Sequence, residues 1–328
     1  MTQAAEMMAP MRPLTKMCDV VPVENVLDDP DGVLATLKAR GPFSLIYGAA
    51  AYDKLGGADP WFRDYWADTK RGWVDELAHH LHNPKLIAAT KQAFNAEIVR
   101  PDNMCWNLHA PMLPGRPHLD TAPYRGVDRN ALPTWLVFVI HHSQLFLHWV
   151  VTGTTGVVVF YKGPHGEFEY WPDGPDQPSQ RLGTPAWNVG LVTDNEFMFH
   201  RPQGVGPADL RFRTGEIGND AKLHHLPEGG WKIEDGRPHR PIGEDEVRFS
   251  IVWKALVFKD KAAEAVYDNR TDELTLDIVW DVLNEDLKQR GFRQGLPADP
   301  MEDRAFRTLL LQQYPNPGQH YFQEAKWR

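Results

Sequence analysis

Near residue 103 the hydrophobic periodicity of the chain changes, and this change limits the possible folds more than any other feature. Met104, Trp106 and Leu108 alternate with less apolar neighbours, as expected for a strand with one buried face. Further strand-like runs, separated by Gly, Pro and Asp, span residues 132–140, 144–152, 156–161, 167–171, 188–193, 196–200 and 248–258. Short strands with this punctuation predict an antiparallel sandwich or jelly roll rather than a parallel α/β sheet.

Helices are expected on both sides of this β-rich part. Apolar spacing and end signals predict them at residues 31–40, 60–81, 84–98, 276–290 and 303–313. Asn83 before Pro84, and Thr275 before Leu276, are suitable N-capping residues. The first hundred residues are therefore expected to be mostly helical.

Composition and charge exclude several classes of protein. A net charge of −9 without a basic stripe argues against nucleic acid or an anionic membrane as a partner. The two cysteines, Cys18 and Cys105, cannot form a disulfide framework and fit a reducing cytoplasm. The N-terminus shows no export signal, and no apolar run approaches the about 20 residues of a membrane-spanning helix. We expect a cytoplasmic protein whose partner is a neutral or apolar small molecule, since the chain is acidic and contains 12 Trp.

A candidate metal site is encoded in the segment Pro117–Tyr124. His118 and Asp120 are two residues apart, so in an extended segment their side chains point to the same side. With His200 they would form a set of two His and one carboxylate, which suits Fe(II) because positions stay open for a cosubstrate and O2. A hydrated surface pair and a buried structural His200 are the alternatives. His141, His142 and His148 compete for the third position, and the last of these lies in an apolar run.

Three pieces of the chain follow one another in the order His118-Leu119-Asp120, His200 and Arg248-Phe249-Ser250. Over roughly residues 100–260, this order resembles the pattern of the Fe(II)/2-oxoglutarate-dependent oxygenase superfamily. The resemblance implies a mainly β (α+β) fold with helical flanks and a double-stranded β-helix, or cupin-like jelly roll, at its core. It also implies that His118, Asp120 and His200 hold the iron and form the catalytic centre, with 2-oxoglutarate and O2 as cosubstrates. An unactivated C–H of a small molecule would be hydroxylated, desaturated or used for ring formation, with release of succinate and CO2.

The far carboxylate of 2-oxoglutarate needs a planar, bidentate donor, which Arg provides better than Lys. Arg248 heads a predicted strand, and Ser250 shares its face. Arg248 follows His200 by 48 positions, which is longer than usual in the superfamily, so an inserted segment at about 205–245 is expected. Alternatively Arg211 or Arg213 is the anchor. Asn107 is a further candidate for binding the cosubstrate. Alternatively, it forms a structural hydrogen bond to a neighbouring strand.

The expected organisation is a flexible leader at residues 1–18 followed by a single oxygenase domain at 19–328. Within it we expect a mostly helical region at 19–101, a jelly-roll core at 102–260 and C-terminal helices at 261–328. The insert or the N-terminal region could cover the pocket or form a homodimer contact, and composition does not decide between them.

Two other functions remain open at this stage. A cupin-type iron dioxygenase that does not use 2-oxoglutarate would keep His118, Asp120 and His200 but would not depend on Arg248. A non-catalytic barrel that binds a small molecule would hold no metal. In that case the arginines would form surface salt bridges of small energetic value.

Overall fold

The protein is described here by a computed structural model, which covers residues 14–129 and 131–322. The strands are β1 Val21–Glu24, β2 Phe43–Leu45, β3 Trp61–Asp68, β4 Ile98–His109, β5 Gly153–Tyr161, β6 Phe168–Tyr170, β7 Gln180–Leu182, β8 Ala186–Thr193, β9 His200–Pro202, β10 Lys222–His225, β11 Trp231–Glu234 and β12 Arg248–Phe258. The helices are α1 Pro30–Lys38, α2 Ala49–Leu55, α3 Pro84–Phe94, α4 Thr134–Ser143, α5 Lys261–Asp268, α6 Leu276–Gln289, α7 Arg304–Gln313 and α8 Pro317–Tyr321.

The strands form two antiparallel sheets. The large sheet has nine strands in the order β1-β8-β5-β12-β4-β3-β2-β10-β11, and the small sheet has the order β7-β6-β9. Helices flank the large sheet, and the two sheets form a double-stranded β-helix. The fold class predicted from the sequence is therefore confirmed.

The two faces of the large sheet have different roles, which β12 shows most clearly. Phe249, Ile251 and Trp253 belong to the main apolar core, which also contains residues of α1 and α3. The alternate residues face the other way. Ser250 lies opposite Val159 of β5, and Val159 packs in a second cluster with residues of the small sheet. Arg248, Ser250 and Lys254 therefore face the space between the sheets.

The predicted helix starts are confirmed at two caps. The Asn83 side chain accepts hydrogen bonds from the backbone N–H groups of Lys85 and Leu86 at the start of α3. The Thr275 hydroxyl accepts one from Ile278 at the start of α6. Helices α1 and α7 also lie where they were expected, although α3 ends at Phe94, four residues before the predicted end.

The helix predicted at residues 60–81 is wrong. Residues 61–68 form β3, which pairs with β4, and only Asp75–His82 is helical, as a 3-10 segment. Phe62 and Trp66 are fully buried, and their spacing suits a helix face as well as a strand that contains a bulge. Pairing with β4 decides the outcome, so the first hundred residues are a mixture of strands and helices rather than mostly helical.

The strands predicted at 132–140 and 144–152 are also wrong. The first run forms α4, and the second holds a 3-10 turn at Leu147–Trp149. The β-branched and aromatic residues of this run favour a strand by propensity. Here Leu136, Val139 and Ile140 pack instead with residues of α6 and α7 in a separate apolar cluster. Residues 195–197 form a turn, and the strand begins only at His200.

The segment predicted as an insert, residues 205–245, extends the large sheet. Its hairpin, β10 and β11, joins the sheet at β2. Trp231 is fully buried there, with its ring 5.3 Å from that of Phe249. The insert is therefore a structural part of the fold.

Residues 1–13 of the predicted leader lie outside the described residues. From residue 14 the chain makes contacts: Thr15 approaches Gln144, and Lys16 approaches Asp173. Within the described part of the chain, every helix is too short or too polar to cross a membrane.

Candidate metal centre

His118, Asp120 and His200 lie together. One potential ligand atom from each falls within 4.8 Å of the other two. Backbone pairing creates this arrangement, because His118 and His200 exchange two N–H···O=C bonds of 3.1 Å, which leaves their ring centroids 4.4 Å apart. The Asp120 N–H donates to the Asn195 carbonyl at 2.8 Å. Two segments that are distant in the chain are thus held in one register.

Each imidazole is oriented through its Nδ1 atom. The Nδ1 of His118 lies 2.9 Å from the Arg116 carbonyl, and that of His200 lies 3.2 Å from the Met198 carbonyl. A proton on each Nδ1 satisfies these carbonyls and leaves Nε2 with a free lone pair, the form in which His binds metals. The Nε2 of His200 lies 4.0 Å from Oδ1 of Asp120.

Burial and neighbouring charges keep His200 neutral and Asp120 ionised, which are the states in which these side chains bind a cation. Burial, helped by repulsion from His118, lowers the pKa of His200 to about 3, so its ring is neutral at pH 7. Burial raises the pKa of Asp120, but the Lys254 ammonium and the two imidazoles outweigh it and hold this pKa below its ordinary value. The site therefore combines the neutral imidazole of His200 with one ionised carboxylate, that of Asp120.

Lys254 and Glu196 complete the surroundings of Asp120, and the sequence analysis missed both. The Lys254 ammonium donates to Oδ2 of Asp120 at 2.7 Å and to Oε1 of Glu196 at 3.0 Å. It holds one oxygen of Asp120 while Oδ1 faces His200. The sequence did indicate Lys254, because it lies an even number of positions after Arg248 and Ser250 and therefore on the same face of the strand, in an otherwise apolar run.

Arg248 is almost completely buried, with 1% of its surface exposed. Its Nε donates to the Gly166 carbonyl at 2.6 Å, and one terminal nitrogen donates to the Ser250 hydroxyl at 3.1 Å. Its other terminal nitrogen, Nη2, has no hydrogen-bond partner among the described residues. Burial lowers the pKa of this guanidinium to about 10, so it is still charged at pH 7.

Two further polar side chains lie in the same row across the sheet. Arg248 is opposite His109 on β4, and His109 is opposite Trp61 on β3. Both ring nitrogens of His109 and the indole Nε1 of Trp61 are buried and have no partner in the described structure. Burial lowers the pKa of His109 well below its ordinary value. Buried polar atoms are normally paired, so this row is suited to a polar ligand group. Neither residue was predicted from the sequence for this position.

The alternative anchors for 2-oxoglutarate, Arg211 and Arg213, are not part of this buried row. Arg213 is exposed, and the Arg211 guanidinium donates to the carbonyls of Gly204 and Gly206. Asn107 is buried next to the site, where it lies opposite Ser250 and accepts a hydrogen bond from Arg63 at 2.8 Å.

The competing histidines have other contacts. His141 lies 3.2 Å from the Tyr124 hydroxyl, and His148 lies 2.7 Å from Asp272. The ring of His142 stacks on Phe138. None of the three joins the cluster with His118 and Asp120 in the described part of the chain.

A cavity of about 810 Å³ opens beside Asp120. Its lining includes Lys254 and Glu196, together with Arg63, Tyr65 and Trp73. A volume of this size is typical of a small-molecule site. Arg248, His109 and Trp61 are not among the residues that line this cavity.

Comparison with known proteins finds likenesses of fold. No family model matches the chain, and no curated protein matches it. An oxidoreductase of the 2OG-Fe(II) oxygenase family from Burkholderia pseudomallei is 12% identical, with a TM-score of 0.39 over 74% of this chain and 85% of that chain. A prolyl hydroxylase from Trichoplax adhaerens is 12% identical, with a TM-score of 0.40 over 76% and 87%.

HygX from Streptomyces hygroscopicus, solved with nickel and 2-oxoglutarate bound, is 8% identical, with a TM-score of 0.40 over 73% of this chain and 83% of that chain. The Burkholderia protein carries the name of the superfamily that the sequence motif resembles. Likenesses this distant assign neither a family nor an activity, which depend on the chemistry of the site.

Proposed function

We propose that this protein is a non-haem Fe(II)- and 2-oxoglutarate-dependent oxygenase. It oxidises an unactivated C–H of a small molecule, by hydroxylation, desaturation or ring formation, and releases succinate and CO2. The observation that carries the proposal is the convergence of His118, Asp120 and His200, whose potential ligand atoms lie within 4.8 Å of one another.

The donor set fits Fe(II). Two imidazole nitrogens and one carboxylate oxygen are the ligands of the facial arrangement that non-haem iron oxygenases use. His200 is neutral and its Nδ1 is engaged with a backbone carbonyl, which leaves Nε2 for the metal. Lys254 occupies one oxygen of Asp120, which favours a single Asp120–metal bond and leaves more positions for the cosubstrates.

The residues present also fit 2-oxoglutarate. A dicarboxylate needs a buried cation at its far end, and Arg248 provides one with a terminal nitrogen that no described residue uses. Ser250, His109 and Trp61 offer further polar atoms in and beside the same row. Charge-assisted hydrogen bonds in such a buried site are strong, and they would offset the cost of burying the Arg248 charge.

When bound, Fe(II) and the keto acid would supply the electrons that activate O2, which is the oxidant for the substrate C–H. The protein contributes position and exclusion of water. His118, Asp120 and His200 hold the metal, and Arg248 with Ser250 orients the far carboxylate of 2-oxoglutarate. The cavity beside Asp120 holds the substrate close to the metal.

Anaerobic titration with Fe(II), with and without 2-oxoglutarate, tests the proposal through the weak visible charge-transfer band of the chelate. We expect the band with wild type and its loss in His118→Ala. Arg248→Met should still bind Fe(II), but its affinity for 2-oxoglutarate should fall about 10- to 100-fold, because it loses a charge-assisted hydrogen bond in a buried site.

Arg213→Met is the matched control and should behave like wild type, since Arg213 is exposed. If Arg213→Met weakens 2-oxoglutarate binding and Arg248→Met does not, the anchor is assigned incorrectly. If the protein binds Fe(II) but does not bind 2-oxoglutarate, and Arg248→Met changes nothing, a cupin-type dioxygenase is favoured. Failure of the wild type to bind any divalent metal would favour a non-catalytic binding barrel.

A further inference from the structure

We propose that Arg63 binds a carboxylate of the substrate, so that the substrate is an organic acid with an apolar or aromatic body. The inference rests on the proposed function, because it assigns the 810 Å³ cavity beside Asp120 to the substrate. It departs from the neutral or apolar substrate that composition suggested.

Arg63 is held in place on the wall of this cavity. It lies on β3 opposite Asn107, and its Nε donates to the Asn107 amide oxygen at 2.8 Å. The side chain is partly buried. Within the described residues its two terminal nitrogens have neither a hydrogen-bond partner nor a carboxylate at salt-bridge distance. Asn107 thus orients a guanidinium whose paired N–H groups are available for a carboxylate.

Several other charged groups of the cavity have partners of their own. Lys254 is already paired with Asp120 and Glu196. Asp68 accepts from the backbone N–H groups of Lys70 and Arg71, and Asp102 accepts from the Asn103 amide. A partly buried Arg whose terminal nitrogens have no carboxylate partner is suited to binding an anion.

The surface next to Arg63 suits an apolar or aromatic group. Tyr65 follows on the same strand and lies 49% exposed, although it is a large ring. The Tyr65 ring lies 5.5 Å from the Trp73 ring. The Arg71 guanidinium stacks on the Trp73 ring, 4.1 Å from its centroid. Tyr65 and Trp73 both line the cavity. Exposed rings within a cavity are candidates for stacking with a ligand.

The sheet sets the distance between the two ends of the substrate. Arg63 on β3 and Lys254 on β12 are separated by the single strand β4. Two strand spacings amount to about 10 Å, and Arg63 pairs with Asn107 whereas Lys254 pairs with Asn103, an offset along β4 of about 13 Å, so their Cα atoms lie about 16 Å apart. Lys254 contacts the candidate metal ligand Asp120. The acid group and the oxidised carbon are therefore several bonds apart, which excludes the shortest carboxylic acids.

Calorimetric titration with 3-phenylpropanoate and its uncharged amide, 3-phenylpropanamide, tests this assignment. The protein is first saturated anaerobically with Fe(II) and 2-oxoglutarate, so that the other carboxylate site is filled. We expect wild type to bind the acid at least about tenfold more tightly than the amide, because a charge-assisted pair forms only with the acid. Arg63→Gln should lose this preference and keep its affinity for 2-oxoglutarate.

Arg63→Lys should keep a smaller preference, because one ammonium replaces a bidentate fork, and it provides the test if Arg63→Gln does not fold. Arg213→Gln is the exposed control and should match wild type. Arg129 also lines the cavity and is the competing cation. The assignment is overturned if wild type shows no preference, if the preference persists in Arg63→Gln, or if Arg129→Gln removes it instead. It is also overturned if Arg63→Gln weakens 2-oxoglutarate binding, which would place Arg63 in the cosubstrate site.

The charge-transfer band separates the two failures. If the band never forms in wild type, the proposed function has failed, and the same titration on the protein alone still tests Arg63. If the band forms normally but the preference for the acid is missing, only the substrate assignment has failed.

Discussion

At the scale of single residues, Lys254 shows how one side chain organises a site. Its ammonium joins two carboxylates, Asp120 at 2.7 Å and Glu196 at 3.0 Å. Burial lowers the pKa of Lys254, but the two carboxylates outweigh this effect and raise the pKa overall, so the lysine is charged at pH 7. The site without metal therefore contains a cation that balances much of its negative charge.

We predict that Lys254→Met lowers the free energy of unfolding of the metal-free protein by about 2 kcal/mol, because the buried Glu196 and the partly exposed Asp120 lose their cation. Metal should then stabilise the variant more than it stabilises wild type, since a divalent cation replaces the missing charge. Denaturant unfolding and melting with and without a divalent metal would measure both effects. Lys259→Met, at an exposed position, is the control. An unchanged stability would show that the ion pair contributes nothing.

At the scale of single elements, the two predicted N-caps differ in what else they bind. Thr275 is exposed and caps α6 only. Asn83 is buried, and its amide nitrogen also donates to the Val26 carbonyl at 2.9 Å. Asn83 therefore connects the start of α3 to the chain that follows β1. The cap was predictable from neighbouring residues, whereas the second contact required the tertiary structure.

We predict a larger loss of stability for Asn83→Ala than for Thr275→Ala. Loss of a cap costs about 1 kcal/mol, and this is the full cost expected at Thr275. Loss of the additional buried hydrogen bond at Asn83 adds about 1 kcal/mol or more. Urea unfolding of both variants would measure the difference. Equal losses would mean that the contact with Val26 has no energetic role.

At the scale of the whole molecule, the insert is joined to the rest of the fold by sheet pairing, ring packing and charge. β10 pairs with β2, and Trp231 packs among the rings of the main core. Glu244 accepts hydrogen bonds from Lys38 at the end of α1 and from the backbone N–H of Gly230, and it contacts His225. One carboxylate thus links the first helix to the hairpin of the insert.

The stability of this link should depend on pH. Burial raises the pKa of Glu244, but Lys38, the Gly230 N–H and His225 outweigh it and lower the pKa from 4.5 to about 2. The folded-state pKa is the lower one, so the contribution is complete above about pH 4.5 and is lost as pH falls toward 2. Glu244→Gln should lower the free energy of unfolding at pH 7 by about 1 kcal/mol or less, given the partial exposure of the group.

The difference between wild type and Glu244→Gln should shrink as urea unfolding is repeated at pH values below about 4.5. Glu228→Gln, at an exposed position, is the control and should show no such trend. A difference that stays constant with pH would mean that packing, and not the charge of Glu244, makes the link.

The amino-acid sequence by itself determined the features that neighbouring residues encode. Asn83 and Thr275 mark helix starts because a cap acts over three residues. Arg248–Phe258 is a strand with the predicted bounds because its alternation is complete within the segment. The order of His118, Asp120, His200 and Arg248 was also visible in the chain, although their proximity was not.

Only the tertiary structure decided the features that depend on distant partners. Residues 61–68 became a strand because β4 pairs with them, and residues 134–143 became a helix because α6 and α7 cover them. The row of Trp61, His109 and Arg248, and the contact of Lys254 with Asp120, exist only in the register of the folded sheet. Propensity and periodicity act over a few residues, whereas sheet register brings together side chains more than a hundred positions apart.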